Sequence, residues 1–253
     1  MPDSHTDEYR RVLAVDTSTR VQSIALLDGD ELLEERTRRV AYNHGSSLLD
    51  NIDAIFDGQQ LELGEIDLFC AGIGPGSFTG LRVGLASAKA LSRAADEPIV
   101  GVSSLAAQAW GPARINPEAT ILSAIDARRR EVYAGAYRWS GDELVAVLDD
   151  RAAAPDDWVQ TATDELSGPL VQIGNGAERY DALRDWAADH LTTVSTDIAG
   201  PSAVGVARLG RRKAIEHGGD DRVSLQPNYI RPSDAVLPDK ELRDMPEDPD
   251  QTS

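Results

Sequence analysis

Cysteine is almost missing from this chain. Cys70 is the single one in 253 residues, so no intrachain disulfide can form. Its place in the apolar run Ile66 to Cys70 reads as an inert core thiol rather than a reactive one. Long apolar stretches are lacking too: none approaches the roughly 20 residues that cross a bilayer, and the N-terminus has no cationic segment followed by an apolar one. A soluble, cytoplasmic chain with no membrane partner is expected. Basic charge is scarce, with 25 Lys and Arg against 43 Asp and Glu, a formal net charge of −18. Such a field opposes nonspecific nucleic-acid binding, although a local basic patch can still recruit RNA. Lysine is nearly absent: Lys89, Lys213 and Lys240 are the only ones, and the other positive side chains are arginine. Acids spread along the whole sequence read as adaptation to a salty cytoplasm, where ions screen their repulsion.

What is present is enough apolar material, 41 percent, for one large domain or two modest ones. The chain is organised around Ala71 to Arg82, AGIGPGSFTGLR, which follows an apolar strand and leads into a helix-patterned stretch. Gly72, Gly74, Gly76 and Gly80 permit backbone angles and close approaches that a Cβ would obstruct. Ser77 or Thr79 suits the helix cap, and the free N–H groups there can form an anion nest or a docking corner. The spacing is neither the dinucleotide fingerprint nor the phosphate loop, because Lys89 lies well inside the helix. A tight strand-to-helix turn, ligand binding and partner docking all remain open from this run alone.

The periodicity predicts strands at Arg11 to Thr17, Val21 to Leu27 and Glu31 to Arg38, joined by short turns. A helix follows, with Leu48, Leu49, Ile52, Ile55 and Phe56 at helical spacing, Asn43 as cap and Gly58 as stop. Ile66 to Ile73 reads as a buried strand. In the next helix, Leu81, Leu85, Ala88 and Leu91 form an apolar stripe while Gly84, Ala88 and Ala95 leave little bulk, suited to close approach against the sheet or another subunit. Pro98 to Val102 is a strand and Ser103 to Trp110 a helix, and Pro112 and Pro117 bracket the expected lobe boundary.

Strands at Thr120 to Ala127 and Glu131 to Tyr137 flank Arg128, Arg129 and Arg130, which read as a solvated turn or as a local docking patch. Glu143 to Leu148 is a further strand, and Asp149 to Ser167 reads as loops and a short helix. Gly174, Asn175 and Gly176 make a second strand-to-helix turn, Thr193 to Thr196 a terminal strand, and Ser202 to Ile215 a compact helix. Gln226 to Pro232, QPNYIRP, is expected to lock the chain end back onto the fold. The expected organisation is a flexible lead over residues 1–9, a first lobe with the partner surface over 10–111, a second lobe over 112–232 whose C-terminal helix returns to the first, and an acidic disordered tail over 233–253.

Five segments in order carry a resemblance: DTST at Asp16 to Thr19, Asn43 to Ser46, GPGSFTGLRVG at Gly74 to Gly84, DARRREVY at Asp126 to Tyr133, and PNYIR at Pro227 to Arg231. Together they resemble the TsaB (YeaZ) family over Arg11 to about Pro232. The resemblance implies a duplicated actin-like, ribonuclease-H-like α/β fold of two lobes, related to ASKHA ATPases. It also implies a part in forming N6-threonylcarbamoyladenosine at position 37 of ANN-decoding tRNAs. In that pathway a Sua5-type enzyme makes threonylcarbamoyl-adenylate and TsaD transfers the group, with the ATPase TsaE assisting.

TsaB is implied to be a noncatalytic activator and scaffold, a TsaD heterodimer partner that can also form homodimers through an overlapping surface. No intrinsic cofactor is implied, ATP and metal ions being expected with the partner proteins. The catalytic relative uses an HxxxH metal pair, whereas here His44 is followed four positions later by Leu48, and one imidazole does not hold a metal. The implied partner surface is therefore Asn43, His44, Leu48, Ile52, Ile55, Leu81, Leu85, Ala88 and Leu91, beside a structural motif of Gly72, Gly74, Gly76, Ser77, Phe78, Thr79, Gly80, Arg82 and Gly84.

Asp16 and Asp126 sit where an ASKHA enzyme positions Mg²⁺ or water, yet each also suits a local turn. The competing reading is an autonomous ASKHA-like ATPase or phosphotransferase. A protease built on Ser77 is weaker, since no activating base is recognisable beside it.

Overall fold

The computed structural model describes residues 8–40, 44–190, 193–195, 200 and 202–230, with the backbone alone for 44–46, 190 and 193–195. Asn43 and the expected acidic tail fall outside the described residues.

Strands β1 (Arg11–Asp16), β2 (Val21–Asp28) and β3 (Glu31–Arg39) form an antiparallel meander, and β4 (Leu68–Gly72) and β5 (Ile99–Val102) extend it in parallel on the β1 side. The sheet order is β3-β2-β1-β4-β5. A second sheet repeats this plan: β6 (Thr120–Arg128), β7 (Glu131–Ser140) and β8 (Glu143–Ala153) are the meander, and β9 (Leu170–Ile173) and β10 (Thr193–Ser195) the parallel extension, in the order β10-β9-β6-β7-β8. This repeat of one mixed sheet in each half is the duplicated actin-like α/β fold.

Alternation along β1 fixes the layers. Val12 and Ala14 face helix α7 (Ala203–His217), together with Ala25, Leu27, Leu68 and Cys70. Leu13 and Val15 face the other way, against Leu48, Ile52 and Ile55 of α1 (His44–Gln59) and Leu85 and Ala88 of α2 (Phe78–Ala95). In the second sheet, Ile121 and Ile125 meet α3 (Ser104–Ile115), while Leu122 and Ala124 meet Trp158 of α4 (Pro155–Glu165) and Leu183 and Trp186 of α6 (Asp181–His190). The short helix α5 (Asn175–Arg179) follows β9, and α3 and α7 lie against each other between the two sheets.

The structure moves several predicted boundaries. Helix α2 begins at Phe78, because the Ser77 side chain accepts from the Gly80 N–H at 3.4 Å and caps it. Helix α1 passes through Gly58 and ends where Gln60 turns to φ 54°. Ile66 follows a 3-10 turn over Leu63–Glu65, so β4 starts only at Leu68. Helix α3 continues through Pro112 to Ile115, carrying the chain across the boundary expected at 111/112; buried Ala109, Pro112 and Ala113 hold that turn against the second lobe. Strand β8 runs on to Ala153, where Ala152 and Ala153 pair with Tyr133 and Val132 beyond two register shifts in the ladder with β7.

After α7 the chain crosses the first lobe as a strap. Asp220 accepts from the Gly101 N–H (2.8 Å) and from Lys213 Nζ (2.9 Å). Farther on, the Asn228 N–H donates to the Ile73 carbonyl (2.7 Å), and Arg82 Nε donates to the Tyr229 hydroxyl (2.8 Å).

Candidate functional site

The two hairpin turns, β1–β2 and β6–β7, are equivalent positions in the two lobes, and each carries one of the candidate aspartates. In both the carboxylate folds back on its own turn: Asp16 Oδ1 accepts from the Ser18 N–H at 2.7 Å, and Asp126 Oδ1 from the Arg128 N–H at 2.9 Å. Their surroundings then diverge.

Asp16 is 0% exposed, and its Oδ2 has no hydrogen-bond partner. Gly72 lies so close that a Cβ there would stand 2.0 Å from Oδ2, and the Ser104 hydroxyl is adjacent. Burial raises the Asp16 pKa, against the lowering effect of its hydrogen bonds. Above it the turn is stitched to the glycine motif: the Ser77 N–H donates to the Ser18 carbonyl (2.6 Å), and the Thr17 hydroxyl donates to the Gly80 carbonyl (2.7 Å). A Cβ at Gly80 would come within 2.1 Å of the Thr17 carbonyl oxygen, and one at Gly84 within 2.2 Å of Thr17 Oγ1. The glycines therefore let the start of α2 rest directly on the β1–β2 turn. This packing closes the Asp16 carboxylate off from solvent.

Asp126 remains half-buried at the base of its turn. Its Oδ1 accepts from the Tyr180 hydroxyl at 2.9 Å, its Oδ2 lies 3.4 Å from Arg179 Nε, and its N–H donates to Asn175 Oδ1 at 2.9 Å. Burial and the Asp126 carboxylate both raise the Tyr180 pKa. Beyond it, Arg128, Arg129 and Arg130 have φ of 60°, 52° and 64° and are exposed. A two-residue hairpin loop favours φ above zero at both central positions, where Asn-Gly is comfortable. Arginine in the left-handed region costs about 1 kcal/mol per residue, so this turn is strained.

The remaining motif residues sit around α2. Gly74 (φ 102°) and Gly76 are in the turn before it, with Ser77 as cap and Thr79 exposed. The half-buried Phe78 ring lies under the exposed Arg82 guanidinium, 3.7 Å from its centroid, with Tyr229 at 5.2 Å from Phe78. The Ser77 hydroxyl is used as the helix cap, not aligned with an acid–base pair. Among the described residues no group of three His, Cys, Asp or Glu converges on a point, and no helix is long and apolar enough to cross a membrane.

The candidate partner residues need correction. Leu48, Ile52, Ile55, Leu81, Leu85 and Ala88 are each at most 4% exposed. Except for Leu81, they belong to the apolar layer between α1, α2 and the first sheet, with Leu91 partly buried against it. Each helix turns this stripe inward because the sheet beneath is the larger apolar surface. The outward apolar positions include Leu49, 44% exposed, on α1 and Ala86, Ala90 and Ala94 on α2, beside exposed Asp50 and Asp53 on α1 and Arg82 and Arg93 on α2. Sequence reasoning passed over these three alanines, although they lie at four-residue intervals out of phase with the leucines. His44 opens α1, and nothing of its side chain is described.

Known proteins resemble this chain in sequence and in fold. A family model described as TsaD: tRNA N6-adenosine threonylcarbamoyltransferase matches residues 37–200. The tRNA threonylcarbamoyladenosine biosynthesis protein TsaB of Escherichia coli is 32% identical over 247 residues, covering 91% of this chain and 100% of that protein. The TsaB of Haemophilus influenzae is 28% identical, over 87% of this chain and 93% of the relative. The solved structure of YeaZ from Pseudomonas aeruginosa superposes with a TM-score of 0.73 at 25% identity, over 87% of this chain and 99% of that one. Matched over 91% of its length by a TsaB protein and sharing the architecture of a YeaZ structure, the chain belongs to the TsaB (YeaZ) family.

Proposed function

We propose that this protein is the noncatalytic partner of a TsaD-type transferase in the cytoplasm, holding it in the conformation that transfers threonylcarbamoyl to adenosine 37 of ANN-decoding tRNAs. The observation that carries this reading is the closed β1–β2 turn. Asp16 is walled in by Gly72 and Ser104, and α2 rests on the turn, so the acid that would position Mg²⁺ in an ATPase of this fold has no open side. ATP and metal ions then enter the reaction with the partner proteins, TsaD and TsaE.

The partner surface is the outer face of α1 and α2, around Leu49, Ala86 and Ala90. Small exposed side chains let a second helix pack closely, and one exposed leucine supplies an apolar anchor. The same face serves a homodimer when the partner is absent.

The decisive experiment reconstitutes tRNA modification from TsaD, TsaE and a source of threonylcarbamoyl-adenylate, with and without this chain. Modification that depends on the chain, from a chain that hydrolyses no ATP alone, is the expected result. Equal modification without it, or metal-dependent ATP hydrolysis by the isolated chain that is lost in Asp16→Asn, overturns the reading.

A further inference from the structure

The β6–β7 turn is a charged feature of the second lobe that this function does not use. Arg128, Arg129 and Arg130 are all exposed at its tip, and Arg179 of α5 stands beside it with a side chain 64% exposed. Four guanidinium groups thus gather at one end of the second lobe of a chain whose net charge is −18. Acids lie near the tip as well: Asp126 is turned inward, accepts from Tyr180 and the Arg128 N–H and pairs with Arg179 at 3.4 Å, Glu131 is half-buried at the start of β7, and Glu178 is exposed, as are Asp156 and Asp157 just beyond the end of β8.

Two features set this turn apart from an ordinary solvated one. Arginine occupies both positions where a two-residue loop favours Asn and Gly, so the sequence places charge there against the backbone preference. The base of the turn is also fixed: the Asp126 N–H donates to Asn175, and Asp126 Oδ1 receives both the Tyr180 hydroxyl and the Arg128 N–H. A rigid tip carrying adjacent forked donors suits a row of phosphates, because each guanidinium can engage two phosphate oxygens. A protruding tip also brings positive charge to a polyanion while the acidic body stays farther away.

We propose that Arg128, Arg129, Arg130 and Arg179 form a phosphate-backbone contact for RNA, the tRNA on which the complex acts. This rests on the function proposed above. The contact positions the RNA without reading its sequence.

The test measures binding of an unmodified tRNA transcript to the assembled complex, by fluorescence anisotropy over a range of salt concentrations, with wild-type chain or with Arg129→Asn/Arg130→Gly. The double variant installs the favoured turn residues, so it is expected to fold and to melt at or above the wild-type temperature. Its tRNA affinity is expected to fall roughly ten-fold at about 0.1 M salt, with the slope of log K against log salt shallower by about 1.5 to 2. Arg179→Gln, outside the turn, is expected to flatten the slope by about 1.

Unchanged affinity and slope in both folded variants overturns the proposal. So does loss of complex assembly in the absence of RNA, which would assign the arginines to a protein partner. Failure of the parent reading is seen separately, as modification that proceeds with the chain omitted; the arginine contact fails when the chain is required but the variants bind tRNA as the wild type does.

Discussion

At the scale of single residues, Asp16 and Gly80 decide whether the first lobe closes. Burial raises the native-state pKa of Asp16 above its unfolded value, so folding favours the neutral acid. Stability from this group is full below the unfolded pKa, near 3.8, and is lost as pH rises through the native value. Asp16→Asn, which carries no charge at any pH, is therefore expected to be more stable than wild type at pH 7. In thermal melts the gap should narrow toward pH 4; a constant gap would mean that Asp16 ionises freely. Gly80→Ala acts by sterics instead. Its Cβ would meet the Thr17 carbonyl oxygen at 2.1 Å, a backbone atom with little room to yield, and a loss of about 2–4 kcal/mol in urea unfolding is expected.

At the scale of elements, α2 separates folding from docking. Ala88 is 2% exposed and packs against the first sheet, so Ala88→Glu should unfold the lobe, whatever the partner. Ala90 faces outward two residues on. Ala90→Glu should keep the wild-type melting temperature within a degree or two and weaken heterodimer formation ten-fold or more, measured by calorimetric titration with a TsaD-type partner. Wild-type affinity would move the interface to another face.

The same helix shows what the sequence could disclose. The leucine spacing and the glycine run made α2 and its turn legible, and the polar SerThr-rich stretch after β1 marked the hairpin. Which side of α2 met the sheet was not legible, because small and large apolar residues lie on both sides of the stripe. Pro112 misled for a local reason: a proline usually ends a helix, and only packing of α3 on the second sheet carries the helix past it. Strand β8 was cut short because Asp149 to Arg151 breaks the apolar alternation. Asp150 is nonetheless drawn in to accept from the Ser103 hydroxyl at 2.6 Å and from Tyr137, a pairing between distant segments that no local pattern announces.

At the scale of the whole molecule, charge and topology set the conditions for stability. The net charge of −18 makes the acids repel one another, and salt shortens the reach of that repulsion from about 10 Å at 0.1 M to about 3 Å at 1 M. The melting temperature is expected to climb by several degrees when potassium chloride is raised across that range; a flat response would show that paired arginines already balance the field. Cys70 offers a way to follow the consequence. It is the sole sulfhydryl, lies fully buried in β4 beneath α7, and burial raises its pKa far above the usual thiol value. An alkylating reagent reaches it only when the strand parts from the helix, so the rate at which one mass tag is acquired serves as a clock for transient opening. One atom, already in place, can time how often the lobe breathes in any buffer or with any bound partner.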